Sequence, residues 1–167
     1  MEDRVVVQDA NVLMDLVNGG ILDAWFRLGI ETWTTDFVLA EIKDPKQETT
    51  VTKAMGKRQL LVAESATESY GQISGFHTTW GISIADASVL HTAKAMEVPL
   101  MSGDATLRKA ASREGVQVIG VLWALDELVD NVKISAGEAA WALVQILEAG
   151  SYLPKAECEK RIKIWVS

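Results

Sequence analysis

Residues 83–120, SIADASVLHTAKAMEVPLMSGDATLRKAASREGVQVIG, decide the fold. A strong helical pattern is followed by a short apolar strand, a second helical pattern and a second short apolar strand. Upstream, residues 4–8 and 30–35 also have strand patterns, and residues 59–65 predict a short strand or extended piece. Apolar strands that alternate with helices are typical of a parallel sheet with both faces covered. The sequence therefore predicts an α/β fold of three α/β/α layers around a central parallel sheet.

The chain is expected to form a single domain, residues 1–167, because 167 residues lie within the usual range for one domain. Its predicted core covers about 4–120, and extra C-terminal helices cover about 121–167. Two amphipathic segments in that extension, at 121–132 and 135–150, predict helices. The remaining helical patterns cover residues 12–17, 21–29 and 36–43, and the pattern is least clear at residues 69–80.

Composition limits the class of protein. Hydrophobic residues make up 49% of the chain and charged residues 23%, which is enough for a packed core. No apolar run approaches the roughly 18 residues that span a bilayer, and the start of the chain lacks the pattern of a signal peptide. The single cysteine, Cys158, cannot form an internal disulfide, and no His lies near it in sequence. We therefore expect a cytoplasmic protein without a membrane segment and without a catalytic thiol.

Two acidic residues directly follow predicted strands. Asp9 comes after a run of three valines and Gln8, and Asp104 comes two residues after the strand that ends near Ser102. The carboxyl ends of parallel strands meet at one edge of a sheet, which is where ligands bind in such folds. Each Asp taken alone is explained equally well as a helix cap. The sequence leaves both interpretations open for each residue separately.

Two further acids lie on predicted helices close to apolar stripes. Glu41 falls at helical spacing from Phe37 and Val38, and Asp86 lies four residues after Ile82. An ionised carboxylate on a buried face is costly unless another group compensates its charge. Because no Lys or Arg lies within a turn of Asp86, a metal ion is the compensation that we expect there.

Four acids from separate segments are thus expected to converge at one edge of the sheet. Carboxylate oxygens are hard ligands, and they favour Mg²⁺ or Mn²⁺ over zinc. The two histidines, His77 and His91, do not have a metal-ligand spacing with Cys158, and we interpret both as structural. The predicted ligands are Asp9, Glu41, Asp86 and Asp104.

These segments resemble the PIN-domain nucleases. The resemblance rests on DANVL after the first strand, a Glu in the helix after the second, and GISIADASVLHTA, LMSGDATLRKAA and GVQVIG in that order, over residues 5–120. It implies that Asp9, Glu41, Asp86 and Asp104 hold the catalytic metal, and that Asn11 and Ser102 orient those carboxylates by hydrogen bonds. The chain departs from many members in having DATLR, without a further acid or Asn, at its last Asp.

The resemblance also implies an activity, namely Mg²⁺- or Mn²⁺-dependent endoribonuclease chemistry on an RNA substrate. The chain has a net charge of −7, but residues 43–58 are locally basic and follow Glu41 directly. This segment is either an RNA-binding surface or a solvated helix face. Many small bacterial members are toxins that an antitoxin protein inhibits, so the same pairing is expected here. The predicted RNA contacts are Lys43, Lys53, Lys57, Arg58 and Arg108.

The six tryptophans include candidates for contacts with other chains. Trp25, Trp123 and Trp141 lie in amphipathic helices and are expected to be core or homodimer contacts, and Trp33 belongs to a strand. Trp80, in the region without a clear pattern, is the candidate for an exposed partner contact. A homodimer is therefore expected.

Two other functions remain open from the sequence. A PIN-like domain that binds RNA or protein without cleaving it would have the same pattern. An Asp-based phosphotransfer enzyme also places acids at strand ends, but a haloacid-dehalogenase-like phosphatase would need a second Asp in place of Asn11. A response-regulator receiver would need a Lys after its last strand, where VQVIGVLWAL has none.

Overall fold

A computed structural model describes residues 4–167 of the chain. Five parallel strands form one sheet in the order β3-β2-β1-β4-β5. The strands are β1 (Val5–Gln8), β2 (Glu31–Thr35), β3 (Leu60–Ala63), β4 (Leu100–Met101) and β5 (Val118–Ile119).

Ten α-helices surround the sheet in the described part of the chain. The helices of the core are α1 (Ala10–Asn18), α2 (Leu22–Phe26), α3 (Asp36–Glu41), α4 (Pro45–Gly56), α5 (Tyr70–Trp80), α6 (Ile84–Met96) and α7 (Ala105–Arg113). The C-terminal helices are α8 (Val121–Asp130), α9 (Ala136–Glu148) and α10 (Lys155–Trp165).

The two faces of the sheet carry separate apolar layers. Along β1, Val6 packs into a cluster with Trp25 and Leu125, whereas Val7 packs into a cluster with Leu90 on the opposite face. Successive strand residues point to opposite faces, so an apolar run such as VVV buries side chains on both. The predicted three-layer α/β/α fold with a parallel sheet is confirmed.

The C-terminal helices belong to the first of these apolar layers. Leu143 and Ile146 of α9 are fully buried in the same cluster as Leu16 of α1. The guanidinium of Arg161 in α10 bonds to Asp126 of α8 at 2.8 Å and to Glu157 at 2.9 Å. The extension is therefore packed onto the core rather than attached to it loosely.

Three helices differ from what the sequence pattern indicated. The unclear region 69–80 is mostly α5, which ends at Gly81 with a left-handed φ of 64°. Residues 155–165 form α10 beyond the two predicted C-terminal helices, and the basic segment is the helix α4, which Asp44 caps. None of the helices described is long and apolar enough to cross a membrane.

The tryptophans divide into core and surface positions. Trp25 is fully buried, and its indole N–H donates to Thr32 Oγ1 at 2.9 Å. Trp80, expected to be an exposed partner contact, is instead half-buried against the second cluster and donates its N–H to Glu114. Trp141 is 59% exposed on α9 and is the most exposed of the described tryptophans.

Candidate metal centre

The strand order creates a crevice at the carboxyl end of the central strand. The chain runs from β1 outwards to β2 and β3, then crosses to the other side of β1 to form β4 and β5. Where β1 pairs with β4, Val7 lies beside Leu100 and Gln8 lies beside Met101. Asp9 and Ser102 therefore follow the ends of neighbouring strands whose connections diverge. Open α/β sheets bind ligands at this kind of position.

Asp9 is a buried carboxylate with one oxygen free of hydrogen bonds. It is 1% exposed, and its Oδ1 accepts from the Val12 N–H at 2.8 Å as the N-cap of α1. Its Oδ2 has no hydrogen-bond partner, and Gln8 Oε1 beside it is the other such buried side-chain oxygen in residues 4–167. Capping therefore occupies only half of the Asp9 carboxylate.

The pKa of Asp9 is raised to about 7, mainly because burial disfavours the ionised form. The Ser102 hydroxyl lies near the carboxylate, although the two groups are not in hydrogen-bonding geometry. This hydroxyl and the Val12 N–H both lower the pKa of Asp9. The charges of Asp86 and Asp15 raise it further. A nearby cation would stabilise the ionised form and reverse the shift.

Asp104 repeats the arrangement of Asp9 on the neighbouring strand. It caps α7, and its Oδ1 accepts from the Leu107 N–H at 2.8 Å. The backbone N–H of Asp104 donates to the hydroxyl of the fully buried Ser102 at 3.1 Å. Ser102 thus contacts the Asp104 backbone and faces Asp9.

Asp86 approaches this edge from the first turn of α6. A 2.7 Å hydrogen bond between the hydroxyls of Ser88 and Thr35, both fully buried, ties α6 to the end of β2. Burial is the main cause that raises the pKa of Asp86 to about 6, and the charges of Asp104 and Glu41 add to it. Asp86 therefore lies close enough to Asp9, Asp104 and Glu41 to interact with each of them electrostatically.

Glu41 is exposed rather than buried beside an apolar stripe. Helix α3 is only six residues long and ends at Glu41, and Val38 is its one buried residue. The predicted apolar stripe does not form, because α3 ends before a second apolar turn of the helix. Glu41 still lies close enough for its charge to raise the pKa of Asp86.

No Lys, Arg or His within residues 4–167 forms an ion pair with any of the four acids. The charge of Asp86 raises the pKa of Asp9, and the charges of Asp104 and Glu41 raise the pKa of Asp86. Like charges without a counter-charge raise the free energy of the ionised cluster, so a cation bound among them would be stabilising.

The donor set fits a hydrated divalent cation. The described residues contain no group of three or more His, Cys, Asp or Glu side chains that could hold a metal ion by themselves. Mg²⁺ does not require such a cage, because it keeps several waters and is usually bound through one or two carboxylates. The unpartnered Oδ2 of Asp9 is a buried hard donor of the kind that Mg²⁺ and Mn²⁺ prefer. The residues therefore suit these ions better than zinc in a closed site.

Asn11 is a predicted position that lies away from this cluster. Asn11 is exposed, and its side chain makes no hydrogen bond to the four acids in the described structure. Asn11 points to solvent because α1 has already begun at Ala10, and the buried face of that helix starts at Val12. The orienting role implied for Asn11 is therefore absent from this arrangement.

The basic segment is divided by the length of α4. Lys43 lies two residues after Glu41, but Lys57 and Arg58 follow the far end of a 12-residue helix, which is about 18 Å long. Arg58 lines a cleft with Arg4 and Glu31, at the amino ends of the strands. Lys57 and Arg58 are thus at the sheet edge opposite the acids, and Lys53 is exposed one turn before them. The segment does not form one continuous surface beside the site.

Arg108 is the predicted basic residue that the structure does bring to the acidic edge. It is exposed one turn after Asp104, and its Nη1 donates to the Ser102 backbone oxygen at 2.6 Å. Sequence reasoning missed Asp15, which is buried in α1 and accepts from the Ser151 hydroxyl at 3.1 Å. Burial raises the pKa of Asp15 to about 6. Its position among apolar residues of α1 was the available signal.

Comparison with known proteins agrees with this architecture. No curated protein matches the chain. A family model described as a PIN domain matches residues 5–166, which includes the three C-terminal helices as well as the segments that carry the acids. Since the match covers nearly the entire sequence, the chain belongs to the PIN-domain family.

Proposed function

We propose that this PIN-domain protein is a Mg²⁺- or Mn²⁺-dependent endoribonuclease. The observation that carries the proposal is the buried Oδ2 of Asp9, which has no hydrogen-bond partner, at the crevice between β1 and β4. Three further acids lie near it, and no ion pair within residues 4–167 neutralises them. A structural cap needs one oxygen and gains nothing from a second that is buried without a partner. A cation-binding role explains that second oxygen.

The acids and Ser102 have different roles in the proposed centre. Asp9 would hold the ion together with one carboxylate of Asp86 or Asp104 and several waters, and Glu41, being exposed, would contribute at the solvent side of the cluster. Ser102 fixes the Asp104 backbone and faces Asp9, which limits the orientations that the two carboxylates can adopt. A bound divalent ion would supply an activated water and stabilisation of the charge that develops on the scissile phosphate.

The residues that an Asp-based phosphotransfer enzyme would need are missing from the sequence. A haloacid-dehalogenase-like phosphatase would have a second Asp where this chain has Asn11. No Lys lies directly after β5, in residues 120–125, where a receiver domain would have one. The toxin role and its antitoxin partner form part of the proposal on the strength of family resemblance.

The test is RNA cleavage by the full chain with Mn²⁺ and with EDTA. Asp86→Asn and Asp104→Asn should lower the cleavage rate by more than about 100-fold, since even changes around metal ligands cost about 10- to 100-fold. Glu41→Gln should cost less, because Glu41 is exposed. Asp44→Asn is the matched control, since Asp44 also caps a helix by accepting one backbone N–H, from Gln47. Cleavage that survives Asp86→Asn, or that EDTA does not stop, would refute the proposal.

A further inference from the structure

A groove of about 910 Å³ adjoins the acid cluster. Gly103, which precedes Asp104, forms the end nearest the acids, and the start of α8 at Gly120 and Val121 forms the floor. The opposite wall is formed by the loop between α9 and α10, which includes Tyr152, and by Lys155 at the start of α10. The C-terminal extension therefore supplies one side of a channel that opens beside the proposed centre.

The charge of this groove is opposite to that of the protein. Among the described residues no Asp or Glu lines it, whereas Arg108 and Lys155 do, in a chain whose net charge is −7. Arg108 uses one guanidinium N–H on the Ser102 backbone and has no carboxylate partner in residues 4–167. Lys155 has an 89% exposed side chain with only a loose contact to Glu159 at 3.9 Å. Both cations are therefore available to an anionic ligand.

Tyr152 presents an aromatic ring to solvent from a fixed backbone. It is 97% exposed, although the residues on either side of it are anchored. Ser151 donates to the buried Asp15 of α1, and Leu153 packs against the main apolar cluster. The ring is almost fully exposed in the folded chain, so a ligand can stack on it without displacing another side chain of the protein. Aromatic rings beside cationic grooves are stacking platforms for the bases of single strands.

We propose that this groove binds the single-stranded RNA segment adjoining the scissile phosphate, with Arg108 and Lys155 on its phosphates and Tyr152 stacked on a base. The assignment of that strand as substrate rests on the proposed function, whereas the binding of a single strand does not. A polyanion that enters an acidic centre needs cations close by, and these two cations are contiguous with it through Gly103. A protein partner would instead use the apolar part of the lining, such as Leu122 and Trp123, and its binding would not depend on the two cations and the Tyr152 ring.

The test measures binding without cleavage. The full chain in EDTA is titrated against a fluorescein-labelled oligo(U) strand of about 12 nucleotides, and the dissociation constant is read by fluorescence anisotropy at several salt concentrations. Tyr152→Ala should weaken binding by about 5-fold or more, and Tyr152→Phe should restore it, because the ring and not the hydroxyl stacks. At 97% exposure neither change affects folding.

The cations are tested by the salt dependence of the same measurement. Arg108→Ala combined with Lys155→Ala should reduce the slope of log K against log salt by about 1.4, for two phosphate contacts on a single strand. Lys57→Ala with Arg58→Ala removes the same charge at the opposite sheet edge and should leave the slope unchanged.

Three results would overturn the inference: no binding by the parent, binding indifferent to Tyr152→Ala, or equal slopes for the two double variants. The outcome is separable from that of the proposed function. Groove-dependent binding by a protein that cleaves nothing would refute the nuclease and keep the groove. If cleavage requires Asp86 but strand binding is unchanged by Tyr152→Ala, the nuclease proposal is kept and the groove proposal is refuted.

Discussion

Asp9→Asn separates a helix cap from a member of a charged cluster. Asn caps helices about as well as Asp, so a pure cap would show almost no change. In the folded chain, however, the pKa of Asp9 is raised from 3.8 to about 7. A carboxyl group with a raised pKa stabilises the fold fully below its unfolded pKa, and this contribution is lost as the pH rises through the folded pKa. The window for this loss is therefore about pH 4 to 7.

The magnitude follows from that difference in pKa. A difference of about 3 pH units corresponds to about 4 kcal/mol of destabilisation once Asp9 is fully ionised, and somewhat more than half of this stability is lost between pH 5 and pH 8. The variant lacks this titration, while Asp86 and Asp15 titrate in both proteins and largely cancel in the comparison. The parent should therefore lose about 2–3 kcal/mol more free energy of unfolding than the variant over this range.

The assay is urea unfolding of both proteins at pH 5 and pH 8 in EDTA, repeated at pH 8 with Mn²⁺. At a free concentration 100 times its dissociation constant, the ion should stabilise the parent by about 2.7 kcal/mol through mass action, and the variant by much less. Equal loss of stability in the two proteins between pH 5 and pH 8 would show that Asp9 is an ordinary cap. An equal gain from Mn²⁺ would remove Asp9 from the proposed ligand set.

Three other perturbations test neighbouring parts of the argument. Ser102→Ala removes a group that lowers the pKa of Asp9, so the acidic limb of the pH–cleavage profile should move to higher pH; an unmoved limb would exclude this role. Ser151→Ala leaves the buried Asp15 carboxylate without its partner and should destabilise the chain by about 1–2 kcal/mol at pH 8 and by less at pH 5, as measured by urea unfolding; an effect independent of pH would contradict it. Expression of the parent in a bacterial host without an antitoxin should arrest growth, whereas the Asp86→Asn variant should not; arrest by both would separate toxicity from the acids.

The sheet could be predicted because its strands are short apolar runs and its main helices have periodic apolar faces. Helices α5 and α10 were harder for a physical reason: each buries a single residue, Ile73 in α5 and Cys158 in α10. A helix that buries one side chain leaves no repeating apolar pattern in the sequence. Their boundaries are set by packing against other helices, which local propensity does not encode.

The acids at strand ends were predictable for a topological reason, since parallel strands bring their carboxyl ends to one edge. The position of the basic segment was not predictable in this way. Its residues are close to Glu41 in sequence, but the direction of the helix between them decides where they lie in the fold. Helix α4 runs from the acidic edge to the opposite edge, and it takes Lys57 and Arg58 with it. The bond between Asp15 and Ser151 joins residues that are 136 positions apart, a pairing that a single sequence does not encode.

Helix α1 connects the C-terminal extension to the proposed metal centre. It begins at the cap Asp9, carries Asp15 on its buried side, and packs Leu16 against Ile146 of α9 in one apolar cluster. The same Ser151 that bonds to Asp15 fixes the loop on which Tyr152 is exposed. A displacement of α9 would therefore move both the helix whose first turn holds the Asp9 carboxylate and one wall of the groove. Since ligand geometry at a metal site depends on the rigidity of the surrounding elements, the extension contributes to the site through packing as well as through the groove.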